Sequence, residues 1–348
     1  MSLSRQQCIN CIFSNWYNSF KDITFRSKVI RLPPDFIAYL KKDGVVLPNI
    51  EETRYVNDLD GYSDSDNEDW GTSDQDHTLA PCFSLIKNKV DKVIDYFGGS
   101  VFPKLNWSSP KDAVWITMDG TLKCSSFNDI CLLLKSSDFI SHDLNDAYSH
   151  CIESTLPHSD DAFELVLREW VDLIPSMEFR VFVKERIIIG ISQRHSSGYY
   201  SYLHTQKDIL LQEIIRFFNL KIKSKFLDSN FVFDIVKLEN GCYKLLDFNP
   251  FGEVTDGLLF SWSELRSLSP QSIDNSKILR LVSELENIQP NPYLSYRLPK
   301  DVVDLSCGED VSKMIDFLNV HSLVAKPGEN EELSDDEEEK RLCKSSKF

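Results

Sequence analysis

No stretch of this chain reaches the run of ~18 apolar residues that a membrane-crossing helix needs. The opening Met1-Ser2-Leu3-Ser4-Arg5 lacks the apolar segment of a secretion signal. The expectation is an intracellular, cytoplasmic protein with no membrane partner. A Gly-rich loop ending in Gly-Lys-Ser/Thr is missing, as are a dinucleotide fingerprint and a Ser-His-Asp signature. The seven histidines are scattered, and His150 beside Cys151 is no dyad, since neighbouring side chains in regular structure point apart. Cys8-x-x-Cys11 has zinc-like spacing without a second such pair, so structural thiols are expected. Nine cysteines at irregular spacing fit a reducing compartment.

Basic residues are also short, 38 Lys and Arg against 54 Asp and Glu. The imbalance is local. Eight unopposed acids lie between Asn57 and His77 and eight more between Glu329 and Glu339, which leaves 38 acids for 38 bases elsewhere. Like-charged blocks repel themselves and bury little, so both are expected to be disordered. Without clustered Lys and Arg, direct nucleic-acid binding is disfavoured. Ser334, ahead of Asp335, Asp336 and Glu337, suits an acid-directed phosphorylation or is simply part of a solvated tail.

What remains has a sizeable core: 348 residues at 42% hydrophobic content suffice for one large domain or two lobes sharing a cleft. Phe36 to Leu40 reads as a short helix. Ile86, Val90, Val93, Ile94 and Phe97 recur at helical spacing before Gly98-Gly99, and Phe127 to Lys135 repeats the pattern. Val101 to Leu105 reads as a strand, the polar run Asn106 to Ala113 as a loop, and Val114-Trp115-Ile116 as a further strand. Phe163 to Trp170, Glu178 to Lys184 and Arg186 to Arg194 are strands, and Ile209 to Phe218 is a helix. Val311, Met314, Ile315 and Leu318 form one apolar stripe, better suited to core packing than to a partner groove. The mixture points to α+β or α/β architecture.

The most informative segment pairs Phe231-Val232-Phe233-Asp234-Ile235-Val236 with Tyr243-Lys244-Leu245-Leu246-Asp247-Phe248-Asn249. Asn240-Gly241 between them is hairpin chemistry. Alternation puts Asp247 and Asn249 on one face and Leu246 and Phe248 on the other, and the hairpin brings Asp234 alongside. Three hard oxygen donors without imidazole or thiolate suit magnesium. An Asp closing a strand also commonly bonds only to local backbone amides, and from these residues alone that alternative stays open.

Alternation in Glu178 to Lys184 sets Glu178, Arg180, Phe182 and Lys184 against Phe179, Val181 and Val183. That is either a sheet face turned to water or, with Gln193-Arg194 following, one wall of a polyphosphate cleft. Lys104 precedes the Ser108-Ser109 loop, whose hydroxyls and amides can close over phosphates.

Taken in order, Lys104 with its polar loop, Leu165 to Trp170, Glu178-Phe179-Arg180, Phe233-Asp234 and Leu246 to Pro250 resemble the ATP-grasp superfamily. More narrowly, Phe102-Pro103-Lys104-Leu105-Asn106-Trp107-Ser108, Asp247-Phe248-Asn249-Pro250-Phe251-Gly252-Glu253 and Tyr293-Leu294-Ser295-Tyr296-Arg297-Leu298-Pro299 resemble the cell division cycle protein 123 family. The resemblance implies an α+β ATP-grasp fold, in which two α/β subdomains clasp a nucleotide between antiparallel sheets. It implies residues 1–56 as an ordered segment packing on the core, 57–80 as an acidic loop, and 81–170 as the smaller subdomain and hinge. Residues 171–325 become the larger subdomain with the metal site, and 326–348 an acidic tail. It assigns Lys104 to phosphate, Arg168 and Trp170 to the adenine hinge, and Glu178 to the ribose. Arg180, Lys184 and Arg194 go to phosphates or a nearby acid, and Asp234, Asp247 and Asn249 to Mg2+. Arg180 and Lys184 also suit structural pairing with Glu178. Asp247 stands where most ATP-grasp enzymes carry Glu, a retreat of one methylene that favours binding through one oxygen. The implied function is that of a monomeric ATP- and magnesium-dependent assembly factor for translation initiation factor 2, contacting its gamma subunit. The alternative is a ligase or phosphotransferase making an acyl phosphate, for which no acceptor motif is visible.

Overall fold

Alternating apolar residues build two sheets, described by a computed structural model over residues 3–48, 83–152, 163–270 and 275–283. Both acidic blocks, the Tyr293 to Pro299 run, the stripe from Val311 to Leu318 and Ser334 lie outside the described residues.

The smaller sheet contains β1 (Ser27–Arg31), β2 (Val101–Lys104) and β3 (Glu164–Glu169), with β3 central and both ladders antiparallel. Ile30, Leu165 and Leu167 pack with helices α3 (Pro34–Lys41), α4 (Ser84–Tyr96), α5 (Phe127–Lys135) and α6 (Asp138–Asn145) through Phe36, Val90, Ile130 and Ile140. The helical spacing of Ile86, Val90 and Ile94 is that of α4, which stops at two glycines with φ of +82° and +99°. Ser126 and Asp129 cap each other's backbone groups at the start of α5.

The larger sheet has the order β7-β6-β4-β5-β8, from β4 (Glu178–Lys184), β5 (Ile187–Gln193), β6 (Phe231–Lys237), β7 (Tyr243–Pro250) and β8 (Leu279–Arg280). Four strands are antiparallel; the two-residue β8 runs parallel to β5. The α+β class stands, with that one short parallel edge. Phe179, Val181, Phe231, Phe233 and Phe248 pack against Phe13, Trp16 and Phe20 of α2 (Phe13–Phe20), which follows α1 (Arg5–Asn10), and against Leu210 and Ile214 of α8 (Lys207–Phe217), which follows α7 (Ser201–Thr205). The N-terminal segment thus completes both halves: α2 fills the larger core and β1 is a strand of the smaller sheet.

The second face of the larger sheet is covered as well. Phe182, Ile189 and Val232 pack under Phe251, Phe260 and Leu265. A Cβ on Gly190 would meet the Phe260 ring at 2.9 Å, so only glycine admits that ring. This cover is why Arg180 and Lys184, expected on a charged face open to water or a cleft, are both buried.

The β6–β7 turn closes as expected, with Leu238 N donating to Cys242 O at 2.9 Å and Gly241 at φ +79°. The β4–β5 turn instead carries Glu185 and Arg186 at φ +53° and +58°. The Arg186 guanidinium holds it by donating to the carbonyls of Lys223, Phe226 and Leu227. Val114-Trp115-Ile116 is not a strand but part of a 3-10 helix, Lys111–Ile116. Buried Asp112 dictates this by accepting from Ser137 Oγ at 2.5 Å and Asp138 N at 2.7 Å, which pins the turn to the start of α6. Among the described residues no helix is long and apolar enough to cross a membrane.

Candidate functional site

A β-bulge sets the geometry. Asp234 is directly opposite Asp247, yet the next pair is Ile235 with Leu245, so Leu246 is the extra residue. Leu245 and Phe248 therefore both face the core, three positions apart, while Leu246 is half-buried. Strict alternation had placed Leu246 beside Phe248; the bulge corrects that and is what turns Asp247 towards Asp234. Val232 faces Asn249, so Asp234, Asp247 and Asn249 emerge on one side. Asn249 Nδ2 lies 3.5 Å from Asp234 Oδ2.

Arg180, opposite Asp234 on β4, grips it bidentately: Nε donates to Oδ1 at 2.8 Å and Nη2 to Oδ2 at 2.9 Å. Its Nη1 donates to Asp256 O at 2.8 Å. Arg194, just beyond β5, lies 3.2 Å from Asp234 Oδ2 and 3.7 Å from Glu178 Oε2. Burial pushes the Asp234 carboxyl up, but the charges of Arg180 and Arg194 outweigh it and hold Asp234 well below the usual carboxylate range.

The smaller sheet contributes Lys104 at the end of β2, whose buried ammonium bonds Asp247 Oδ2. Burial lowers its pKa, Asp247 opposes that, and Arg168 adds to the lowering. Arg168 reaches from β3 to donate to Leu246 O at 2.9 Å, the carbonyl of the bulged residue, and its guanidinium lies over the Phe13 ring at 5.3 Å. It ties the two sheets together, and its Nε is buried with no hydrogen-bond partner among the described residues. Trp170, one residue past β3, donates from Nε1 to Asp172 Oδ1 at 3.0 Å and packs on the smaller core. Lys184 lies apart from this cluster, two same-face positions beyond Arg180. Its ammonium donates to Arg266 O at 2.8 Å and Leu268 O at 2.9 Å, the free carbonyls ending α9 (Trp262–Ser267), where a cation is favoured.

Two further residues join the site with little warning in the sequence. Asp143 of α6 accepts from Ser108 N at 2.8 Å and Ser108 Oγ at 2.9 Å, fixing the polar loop after Lys104; burial pushes its carboxyl up to about 6. Lys111, half-buried where that loop becomes the 3-10 helix, lies within electrostatic range of Arg194, Glu178, Asp234 and Arg180. The only sequence signal for Lys111 was its place in the loop that Lys104 opens; Asp143 had none. The Cys8 thiol takes no part: its Sγ is 3.5 Å from Cys151 Sγ in a separate apolar cluster, and burial pushes it up.

Lys104, Lys111, Arg168, Arg180 and Arg194 thus meet Glu178, Asp234, Asp247 and, behind Lys104, Asp143, five cations to four carboxylates. Such an excess in a partly buried site is costly unless an anion joins it. For a metal, Asp247, Asn249 and Asp234 offer oxygen alone. Asp247 keeps about a fifth of its side chain exposed, at 21%, whereas Asp234 is already engaged by two guanidiniums. Among the described residues no three His, Cys, Asp or Glu side chains gather as a metal group, and here the third donor is an amide. The set fits a hard cation that completes its shell with water and ligand oxygens.

The sequence profile of the D123 family matches residues 16–306. The translation initiation factor eIF2 assembly protein of Xenopus tropicalis is 46% identical over 327 residues, spanning 92% of this chain and 97% of that one. Cell division cycle protein 123 of Yarrowia lipolytica is 40% identical over 331 residues, 91% of this chain and 84% of its own length. The structure of Cdc123 from Schizosaccharomyces pombe superposes with a TM-score of 0.68 at 35% identity, covering 82% of this chain and all of that one. With the conserved architecture and the matched length together, the chain belongs to the D123 family.

Proposed function

We propose that this protein binds ATP with Mg2+ and assists assembly of eukaryotic translation initiation factor 2 in the cytoplasm, acting as a monomer on the gamma subunit. The observation that carries the nucleotide reading is the surplus of cations around Asp234 and Asp247, five against four carboxylates, three of the five buried and two half-buried, drawn from both sheets. A triphosphate would supply the missing negative charge, and Asp247 and Asn249 would hold a hard divalent ion, which would supply charge neutralisation at the phosphates. Lys104 and Arg194 then meet phosphate oxygens from opposite sheets, Glu178 takes the ribose, and the β3 end with Trp170 lies where adenine is read. The assembly role is supported by relatives that carry it in their names across nearly their whole length. Nucleotide binding would couple to the partner surface through differential affinity for two conformations.

Calorimetric titration of MgATP, ATP without magnesium, and adenosine tests the site: tight binding of the first alone is expected, and equal weak binding of all three overturns it. Capture of purified gamma subunit, with and without MgATP, tests the partner. Stoichiometric ATP turnover with a covalent product would instead establish the ligase alternative.

A further inference from the structure

We propose that Lys111 is a second phosphate-contacting cation supplied by the smaller half of the protein, alongside Lys104. The inference rests on the nucleotide reading above. Lys104 ends β2, and the chain turns back at once, Leu105 N donating to Ser108 O at 2.8 Å. Lys111 N then donates to Ser109 O at 2.8 Å, which starts the 3-10 helix. Two buried carboxylates clamp this loop from behind. Asp143 takes both the amide and hydroxyl of Ser108, and Asp112, next to Lys111, takes Ser137 Oγ and Asp138 N. Neither acid points at Lys111; each spends its oxygens fixing the loop that carries it.

Among the described residues the Lys111 ammonium makes no hydrogen bond or ion pair of its own. The charges acting on it are Glu178, Asp234 and Arg180 on the larger sheet and Arg194 just beyond it, and Asp234 in turn feels Lys111. Lys111 therefore lies within electrostatic range of Glu178 and Asp234, half-buried, with two guanidiniums repelling it. Burial pushes its pKa down to about 8. A lysine kept in that setting without a partner is a cost in the free protein, recovered when a polyanion arrives. A purely structural lysine would have an acceptor, as Lys184 has in two helix-end carbonyls.

The test uses the full chain with Lys111→Met and Lys111→Arg, read by MgATP titration and thermal unfolding. Lys111→Met is expected to weaken MgATP by about 10- to 100-fold, the worth of one charge-assisted hydrogen bond. Adenosine binding should be unchanged, and Lys111→Arg should recover most of the loss. The unliganded Met variant should unfold at the same temperature as wild type or higher, because an uncompensated charge has gone. MgATP binding within twofold of wild type, or a fall in unfolding temperature with no change in affinity, overturns the inference while leaving the nucleotide reading intact. Failure of wild type itself to bind MgATP overturns that reading, and the inference with it.

Discussion

Arg180 and Asp234 meet across neighbouring strands through two parallel hydrogen bonds of 2.8 and 2.9 Å, with side chains only 8% and 3% exposed. Asp234→Ala strands the Arg180 charge, and removes one partner of Arg194, in a covered site. The expected loss is roughly 3–5 kcal/mol in urea unfolding at neutral pH. Because the Asp234 carboxyl is held low in the folded protein, its stabilisation is complete above the ordinary carboxylate range and fades as pH falls. Asp234→Asn should flatten that acid limb. A cost below about 1 kcal/mol for the Ala variant would refute the structural role.

The bulge makes a sharper comparison. Leu245 is fully buried and Leu246 is not, although both lie in one strand. Leu245→Ala should cost about 2–5 kcal/mol and Leu246→Ala under about 1 kcal/mol, measured by chemical denaturation. The reverse order would restore strict alternation.

The two lysines offered to phosphate in the sequence part company here. Lys184→Met removes two bonds to helix-end carbonyls, so stability should drop by about 1–2 kcal/mol with MgATP affinity unchanged. Lys104→Met should weaken MgATP by more than about 10-fold. Nucleotide affinity that follows Lys184 and ignores Lys104 would reverse their assignments.

Asp143 gives a pH signature. Its folded pKa of about 6 exceeds its ordinary 3.8, so between those values the folded state holds a proton that the unfolded state has released. Its contribution is most favourable below pH 3.8 and is lost as pH rises through 6, by roughly 3 kcal/mol. Asp143→Asn keeps an acceptor for Ser108 N and stays neutral. Unfolding free energies measured from pH 4 to 7 should move progressively in the variant's favour. A difference that does not vary with pH would exclude the buried carboxylate as its source.

Short-range pattern carried much of the architecture. Alternation marks Phe231 to Val236 and Glu178 to Lys184 as strands, Asn240-Gly241 as the hairpin chemistry between Phe231 to Val236 and Tyr243 to Asn249, and the spacing of Ile86, Val90 and Ile94 as a helix. What escaped depends on partners far along the chain. The bulge exists only in the register of β7 against β6, and Asp143 matters only because Ser108, 35 residues earlier, ends beside it. Val114 to Ile116 looks like a strand until Asp112 finds the start of α6. Likewise nothing near Lys184 announces that α9 will end against it.

The entry of the first forty residues into both halves bears on how the chain is made. Ile30 pairs with Leu165, and the carbonyl of Ile23 accepts from Leu245 N at 2.8 Å. During synthesis Trp16 and Phe20 leave the ribosome long before Phe248 of β7, whose ring packs on both, has followed. Closure over so long a span is slow, and a nascent protein of this design spends that interval exposed to aggregation and dependent on holding factors.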